Sequence, residues 1–242
     1  MNGPVALHGG GEFLPGDEGF LHAMVELAPR SDGVVRVAVV PTAAARGRPA
    51  LAAANGVAAF HRIAAAAGVL VVAAAVLIVD AVSVGDPSLA GQLAAATLIY
   101  LPGGDPDLIP TLYPGSLAWA AIERAHAGGA LLAGASAGAM ALAAWTWTPG
   151  GGIPGLAVVK GFGVAPHADA ASWKQAVARY GAAVPADLGF LGVAERTGVI
   201  VPAATGEPWR VVGEGEARWL SRAARAAGEP PVVARDGDTI VP

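Results

Sequence analysis

Residues 130–139 read Ala130-Leu131-Leu132-Ala133-Gly134-Ala135-Ser136-Ala137-Gly138-Ala139. A short apolar run passes through a glycine into small residues compatible with a helix as far as Trp145. An apolar run without alternation suits a strand covered on both faces. The same unit recurs outward along the chain. Val5–His8 leads into Gly9-Gly10-Gly11 and a helix near residues 19–27. Residues 34–40 lead into Pro41-Thr42 and a helix across 49–67. Residues 97–101 lead into Pro102-Gly103-Gly104-Asp105 and a helical stretch through Ala127. Such alternation implies parallel strands joined by crossover helices, an α/β, three-layer domain around a mostly parallel sheet.

After Gly150 the texture changes. Residues 158–164 and 189–194 read as further strands. Residues 199–202 and 209–212, around Thr205-Gly206-Glu207-Pro208, read as a C-terminal β-hairpin. Residues 218–229 read as a helix or an irregular return, and Asp236-Gly237 marks a turn in the tail. No polar linker or repeat interrupts the 242 residues, so 1–242 is read as one domain.

Composition narrows the function classes. Hydrophobic residues make up 54% and charged residues 14%, against about 25% charged in ordinary soluble domains. A chain so rich in apolar surface is not disordered. It has no cysteine, which removes disulfide scaffolds, thiolate zinc sites and a cysteine nucleophile. A net charge of -4 makes no electrostatic case for nucleic acid or an anionic membrane. The most lipid-like stretch, residues 63–79, parses better as a helix ending at Ala67-Gly68 followed by one or two valine-rich strands. No basic segment precedes a long apolar stretch at the start, so the expectation is a cytoplasmic protein without a signal peptide.

Gly134-Ala135-Ser136-Ala137-Gly138 matches the pattern G-x-S-x-G. Among 34 glycines such a match can arise by chance, so its weight comes from context. A strand candidate precedes it and a helix-compatible segment follows, which places the serine on a sharp turn above a sheet edge. Small neighbours are required there because the backbone is crowded. A serine hydroxyl needs a base. His8 ends the first strand, where it could line the same cleft. His22, His61 and His126 fall within helical segments. His167 follows the strand at 158–164, and open parallel sheets collect their sites at the carboxyl ends of strands, which favours His167. An orienting carboxylate could come from Asp169, Asp187 or Glu195, of which Glu195 alone directly follows a strand. The Ala137 N–H and a glycine of the Gly103-Gly104 turn could hold an oxyanion.

Together these pieces resemble the serine peptidase family of cyanophycinase and the aspartyl dipeptidases. That family is similar to the class I glutamine amidotransferase (flavodoxin-like) fold, with serine in place of cysteine. The resemblance rests on Ala6-Leu7-His8-Gly9-Gly10-Gly11-Glu12, Val37-Ala38-Val39-Val40-Pro41-Thr42-Ala43, Ile99-Tyr100-Leu101-Pro102-Gly103-Gly104-Asp105 and the elbow. It continues through Gly192-Val193-Ala194-Glu195-Arg196-Thr197 and Trp209-Arg210-Val211-Val212-Gly213-Glu214-Gly215. It implies a triad of Ser136, His167 and Glu195 and an oxyanion hole from Gly104 and Ala137. The dipeptidase branch places an aspartate some fifteen residues past the serine, where this chain has Pro149-Gly150-Gly151-Gly152.

This chain departs from the family at Asp105-Pro106-Asp107, at Ala165-Pro166 and Ala168 around the histidine, and at Ala194 beside the glutamate. Trp173, Lys174 and Arg179 stand where arginines would serve an acidic substrate. The expectation is a cofactor-free serine hydrolase without a metal, acting on short peptides or related amides. Asp105 and Trp173 are its candidate substrate-binding residues, and a homodimer is possible. The alternative is a catalytically silent binding or regulatory protein on the same scaffold. A standard α/β-hydrolase places its acid before its histidine, and an amidotransferase needs the absent cysteine.

Overall fold

The structure, a computed structural model, describes residues 2–242. Its first half follows the alternation in the sequence. The strands are β1 (Val5–His8), β2 (Val35–Val39), β3 (Val71–Ala75), β4 (Leu98–Leu101) and β5 (Leu131–Ala135). Between them run the helices α1 (Glu18–Leu27), α2 (Pro49–Ala67), α3 (Pro87–Ala94), α4 (Leu108–Leu112) and α5 (Leu117–Ala127), and α6 (Ala137–Leu142) follows β5. The second half adds β6 (Trp145–Thr148), β7 (Gly151–Pro154), β8 (Phe162–Ala165), α7 (Trp173–Arg179), β9 (Gly189–Val193) and β10 (Thr197–Val201). It ends with β11 (Trp209–Gly213), β12 (Glu216–Leu220), α8 (Arg222–Ala227), β13 (Val232–Arg235) and β14 (Thr239–Ile240).

The strands form two sheets. The larger has the order β14-β11-β10-β1-β5-β4-β2-β3. Its members β1, β5, β4, β2 and β3 run parallel, and β10, β11 and β14 continue it antiparallel. The β10–β11 pair is the expected C-terminal hairpin. Strands β1, β4 and β5 are buried along their whole length, as a sheet covered on both sides demands. Phe20, Met24 and Phe60 of α1 and α2 pack on one face, against Ala6, Val39 and Tyr100. Leu93, Ala121, Ile122 and the whole of α6 pack on the other, against Leu7, Ile99 and Leu132.

Helix α2 starts with Pro49 at its first position and ends at Gly68, whose φ of 66° forms a left-handed cap. By length and composition α2 could cross a membrane. Here its Ala53, Ala59, Phe60 and Ile63 face the core, and the apolar stretch beyond Gly68 turns into β3.

The second sheet was not anticipated from sequence. It has the order β13-β12-β9-β8-β6-β7, with β6, β8 and β9 parallel. Residues after Leu142, read above as helix, turn instead into β6. Trp145-Thr146-Trp147-Thr148 alternates half-buried and buried positions, and aromatic and β-branched residues at period two suit a pleat. The strand expected at 158–164 begins only at Phe162. The helical stretch 105–127 divides into α4 and α5 at the turn before Ser116, because Pro114 cannot continue a helix. Residues 218–229 hold the end of β12 and then α8.

The tail splits between the sheets: β13 pairs with β12 and β14 with β11. Phe162, Leu191 and Trp219 share one core with Val199, Trp209 and Val211, so the sheets are packed as neighbours. The carboxyl ends of β1, β4 and β5 lie at one rim, and β9 crosses into β10 through residues 194–196.

Candidate active site

Three chain reversals meet at that rim. The first is the turn from β5 into α6. Ser136 there has φ 48° and ψ −110°, a conformation that side-chain-bearing residues seldom adopt. The neighbouring glycines are needed for packing: a Cβ on Gly138 would overlap the Leu101 carbonyl at the end of β4. The second follows β8 and carries His167, with φ 53°. The third, between β9 and β10, carries Glu195, followed by Arg196 at φ 52°. Positive φ at Ser136, His167 and Arg196 concentrates backbone strain at one place, as functional turns often do.

The structure brings Ser136, His167 and Glu195 together. Ser136 Oγ lies 3.0 Å from His167 Nε2, and His167 Nδ1 lies 2.9 Å from Glu195 Oε1. The imidazole therefore bridges hydroxyl and carboxylate. The His167 and Glu195 side chains are each 43% exposed, so the site is open to water.

The segment after β1 organises all three turns through its backbone. The His8 carbonyl accepts the Ser136 N–H at 3.0 Å, and the Gly9 carbonyl accepts the His167 N–H at 2.8 Å. The Gly10 carbonyl accepts the Arg196 N–H at 2.8 Å. Three successive carbonyls thus set the relative positions of three distant turns. Side chains brace them further. The Ser172 hydroxyl donates to the His167 carbonyl at 2.8 Å, and the buried Thr197 hydroxyl donates to the Glu195 carbonyl at 3.0 Å.

The His8 side chain does not line the cleft. Its ring is wholly buried, stacked on Phe20 with centroids 4.8 Å apart and 2.9 Å from Asp17. Asp17 in turn accepts the Phe13 N–H at 2.8 Å, which ties down the loop that carries Gly10 to Glu12.

The Ala137 N–H opens α6, and neither it nor the Gly104 N–H donates to a backbone acceptor among the described residues. The Gly103 N–H is instead taken by Glu12 Oε1 at 2.9 Å. Asp105 lies 3.8 Å from Arg46, whose guanidinium is held bidentately by Asp107 at 2.7 Å. Trp173 packs on Phe190 at 5.8 Å, over Gly192 and beneath the Arg218 guanidinium. Among the described residues no cluster of three or more His, Asp or Glu side chains is arranged to hold a metal ion.

Glu12, Ser172, Thr197 and the carbonyls of residues 8–10 were missed as site components. Only Glu12 carried a sequence signal, as a carboxylate directly after the Gly9-Gly10-Gly11 turn.

The architecture has solved relatives. The crystal structure of a peptidase from an acI-B1 Actinobacterium superposes with a TM-score of 0.79 at 23% identity, covering 100% of this chain and 97% of that one. A putative peptidase E protein from Listeria monocytogenes EGD-e superposes with a TM-score of 0.58 at 15% identity, covering 89% of this chain and 99% of the other. Both likenesses speak for the fold. No curated protein sequence matches the chain significantly. The profile of peptidase family S51 matches residues 5–178, a span that includes Ser136 and His167 and stops short of Glu195. The chain belongs to peptidase family S51.

Proposed function

We propose that this serine hydrolase cleaves short peptides or related amides through a Ser136–His167–Glu195 triad and an acyl-enzyme. The observation that carries the reading is the imidazole held at 3.0 Å from the hydroxyl and 2.9 Å from the carboxylate. Ser136 Oγ attacks the scissile carbonyl as its proton passes to His167 Nε2. Glu195 accepts the Nδ1–H and stabilises the imidazolium that forms. The negative charge on the carbonyl oxygen is received by the N–H groups of Ala137 and Gly104. Collapse breaks the C–N bond, and the leaving amine takes the proton from Nε2. Water then adds to the acyl ester with His167 as base, which releases the acid and restores Ser136.

A fluorophosphonate should form a single covalent adduct, which peptide mapping places on Ser136. An adduct elsewhere, or none, removes the assignment. Against the silent-scaffold alternative stands the contact of Glu195 with the His167 ring.

Gly10 gives a test of the geometry that leaves all three side chains chemically unchanged. Its φ is +119°, and a Cβ there would overlap the His167 ring. Gly10→Ala should therefore push the imidazole off Ser136. A displacement near 1 Å costs roughly 100-fold in rate. Steady-state kcat, with far-UV circular dichroism to confirm the fold, should show that loss. Wild-type kcat in the variant would mean that the ring position does not matter.

A further inference from the structure

The carboxylate of Glu12 lies outside the triad, yet it stands at the nucleophile. A methyl group placed on Gly103 would lie 3.0 Å from Glu12 Oε1 and 3.1 Å from Ser136 Cβ. Carboxylate and nucleophile thus flank one glycine, next to the Gly104 N–H. Oε1 accepts the Gly103 N–H, while Oε2 has no hydrogen-bond partner among the described residues. Among the described residues no cationic side chain pairs with Glu12 either. Arg46 is held by Asp107 at 2.7 Å, and Arg196 lies 3.4 Å from Glu214. Burial, then Glu12, then Asp17 push the Tyr100 phenol well above its ordinary range, so it stays neutral beside them.

Such a charge has a chemical consequence. Attack by Ser136 creates an oxyanion beside the Gly103-Gly104 turn, and an uncompensated carboxylate nearby opposes it. A cation delivered by the substrate removes that opposition and pairs with the open Oε2.

We infer that Glu12 is a specificity-determining residue that receives a protonated amine of the substrate. The chain then takes short peptides or amides with a positive charge close to the scissile bond and discriminates against acidic ones, the reverse of an aspartyl preference. The amine can come from the substrate's α-amino group or from a lysine side chain; the chemistry at Glu12 is the same. The inference rests on Ser136 as the reacting centre.

The test is ligand binding by NMR to the Ser136→Ala protein, which turns nothing over. Alaninamide carries only the α-amine, Nα-acetyl-lysinamide only the side-chain amine, N-acetylalaninamide neither, and N-acetylaspartamide an acidic group. One of the two amines should bind about tenfold or more tighter than the neutral ligand, with the acidic ligand weakest. The better amine identifies the source of the cation. Adding Glu12→Gln, which retains an acceptor for the Gly103 N–H, should erase the advantage and leave the neutral ligand unchanged.

Equal binding of all four ligands overturns the inference, as does binding of none or an advantage that survives Glu12→Gln. If the double variant fails to fold, the comparison in Ser136→Ala alone still decides, because it requires the amine advantage. Fluorophosphonate labelling of the wild type tests the nucleophile independently, so a failure of that assignment and a failure at Glu12 give different results.

Discussion

Ser136→Ala is expected to lower kcat on a short-peptide substrate by about 10⁴ to 10⁶-fold while leaving the fold intact. The hydroxyl is the group that forms the acyl bond, and among the described residues Ser136 alone brings a hydroxyl to the His167 ring. Alanine is compatible with the elbow, since the turn already accepts a Cβ at φ 48°. The urea midpoint should therefore shift by no more than about 0.5 kcal/mol equivalent. Some acceleration over water should remain, because the N–H groups of Ala137 and Gly104 still meet the developing charge. His167→Ala added to Ser136→Ala should cost little more, because members of one proton-transfer unit fail together. Retained turnover in Ser136→Ala would place the chemistry on another group.

Glu195→Gln is expected to lower kcat by about 10³ to 10⁴-fold. The carboxylate accepts the Nδ1–H of His167, which leaves Nε2 unprotonated and facing Ser136 Oγ. A glutamine amide can turn its NH₂ toward Nδ1, and the ring then carries its proton on Nε2, where it cannot take one from the hydroxyl. Nor does the amide offset the charge of the imidazolium. The 43% exposure of both side chains lets water share that work, which puts the loss at or below that of a buried carboxylate. The variant should still form a fluorophosphonate adduct, more slowly than the wild type. Labelling and turnover at the wild-type rate would show that Glu195 is a bystander.

The two variants probe parts of the site that were legible to different degrees. Ser136 was visible because its local requirement is written in its neighbours: a strained turn between strand and helix tolerates only small residues, and Gly134 to Gly138 supply them. His167 could be chosen because it stood at a strand's carboxyl end. Glu195 had the same position, which set it apart from Asp169 and Asp187 but equally suits a loop glutamate paired with Arg196; the family resemblance tied it to the histidine. Helix α6 was overrun at its end, where Trp145-Thr146-Trp147-Thr148 already carried a two-residue period. The second sheet was invisible for a different reason. Buried runs such as Phe162–Ala165 and Gly189–Val193 look alike whichever sheet they join, because strand propensity contains no partner.

By itself the sequence determined an α/β chain with parallel strands, a serine on a glycine-lined elbow and the absence of thiol chemistry, since each depends on residue type and short-range spacing. Only the tertiary structure decided that the strands divide between two sheets and that His8 is a buried partner of Phe20 and Asp17. It alone also showed that the carbonyls of residues 8–10 gather three turns at one rim and that Glu12 stands beside the nucleophile. The gathering of the turns depends on backbone groups that find each other across more than a hundred residues, residues 8–10 with Ser136, His167 and Arg196. Backbone carbonyls are the same in every residue, so no side-chain code could announce them.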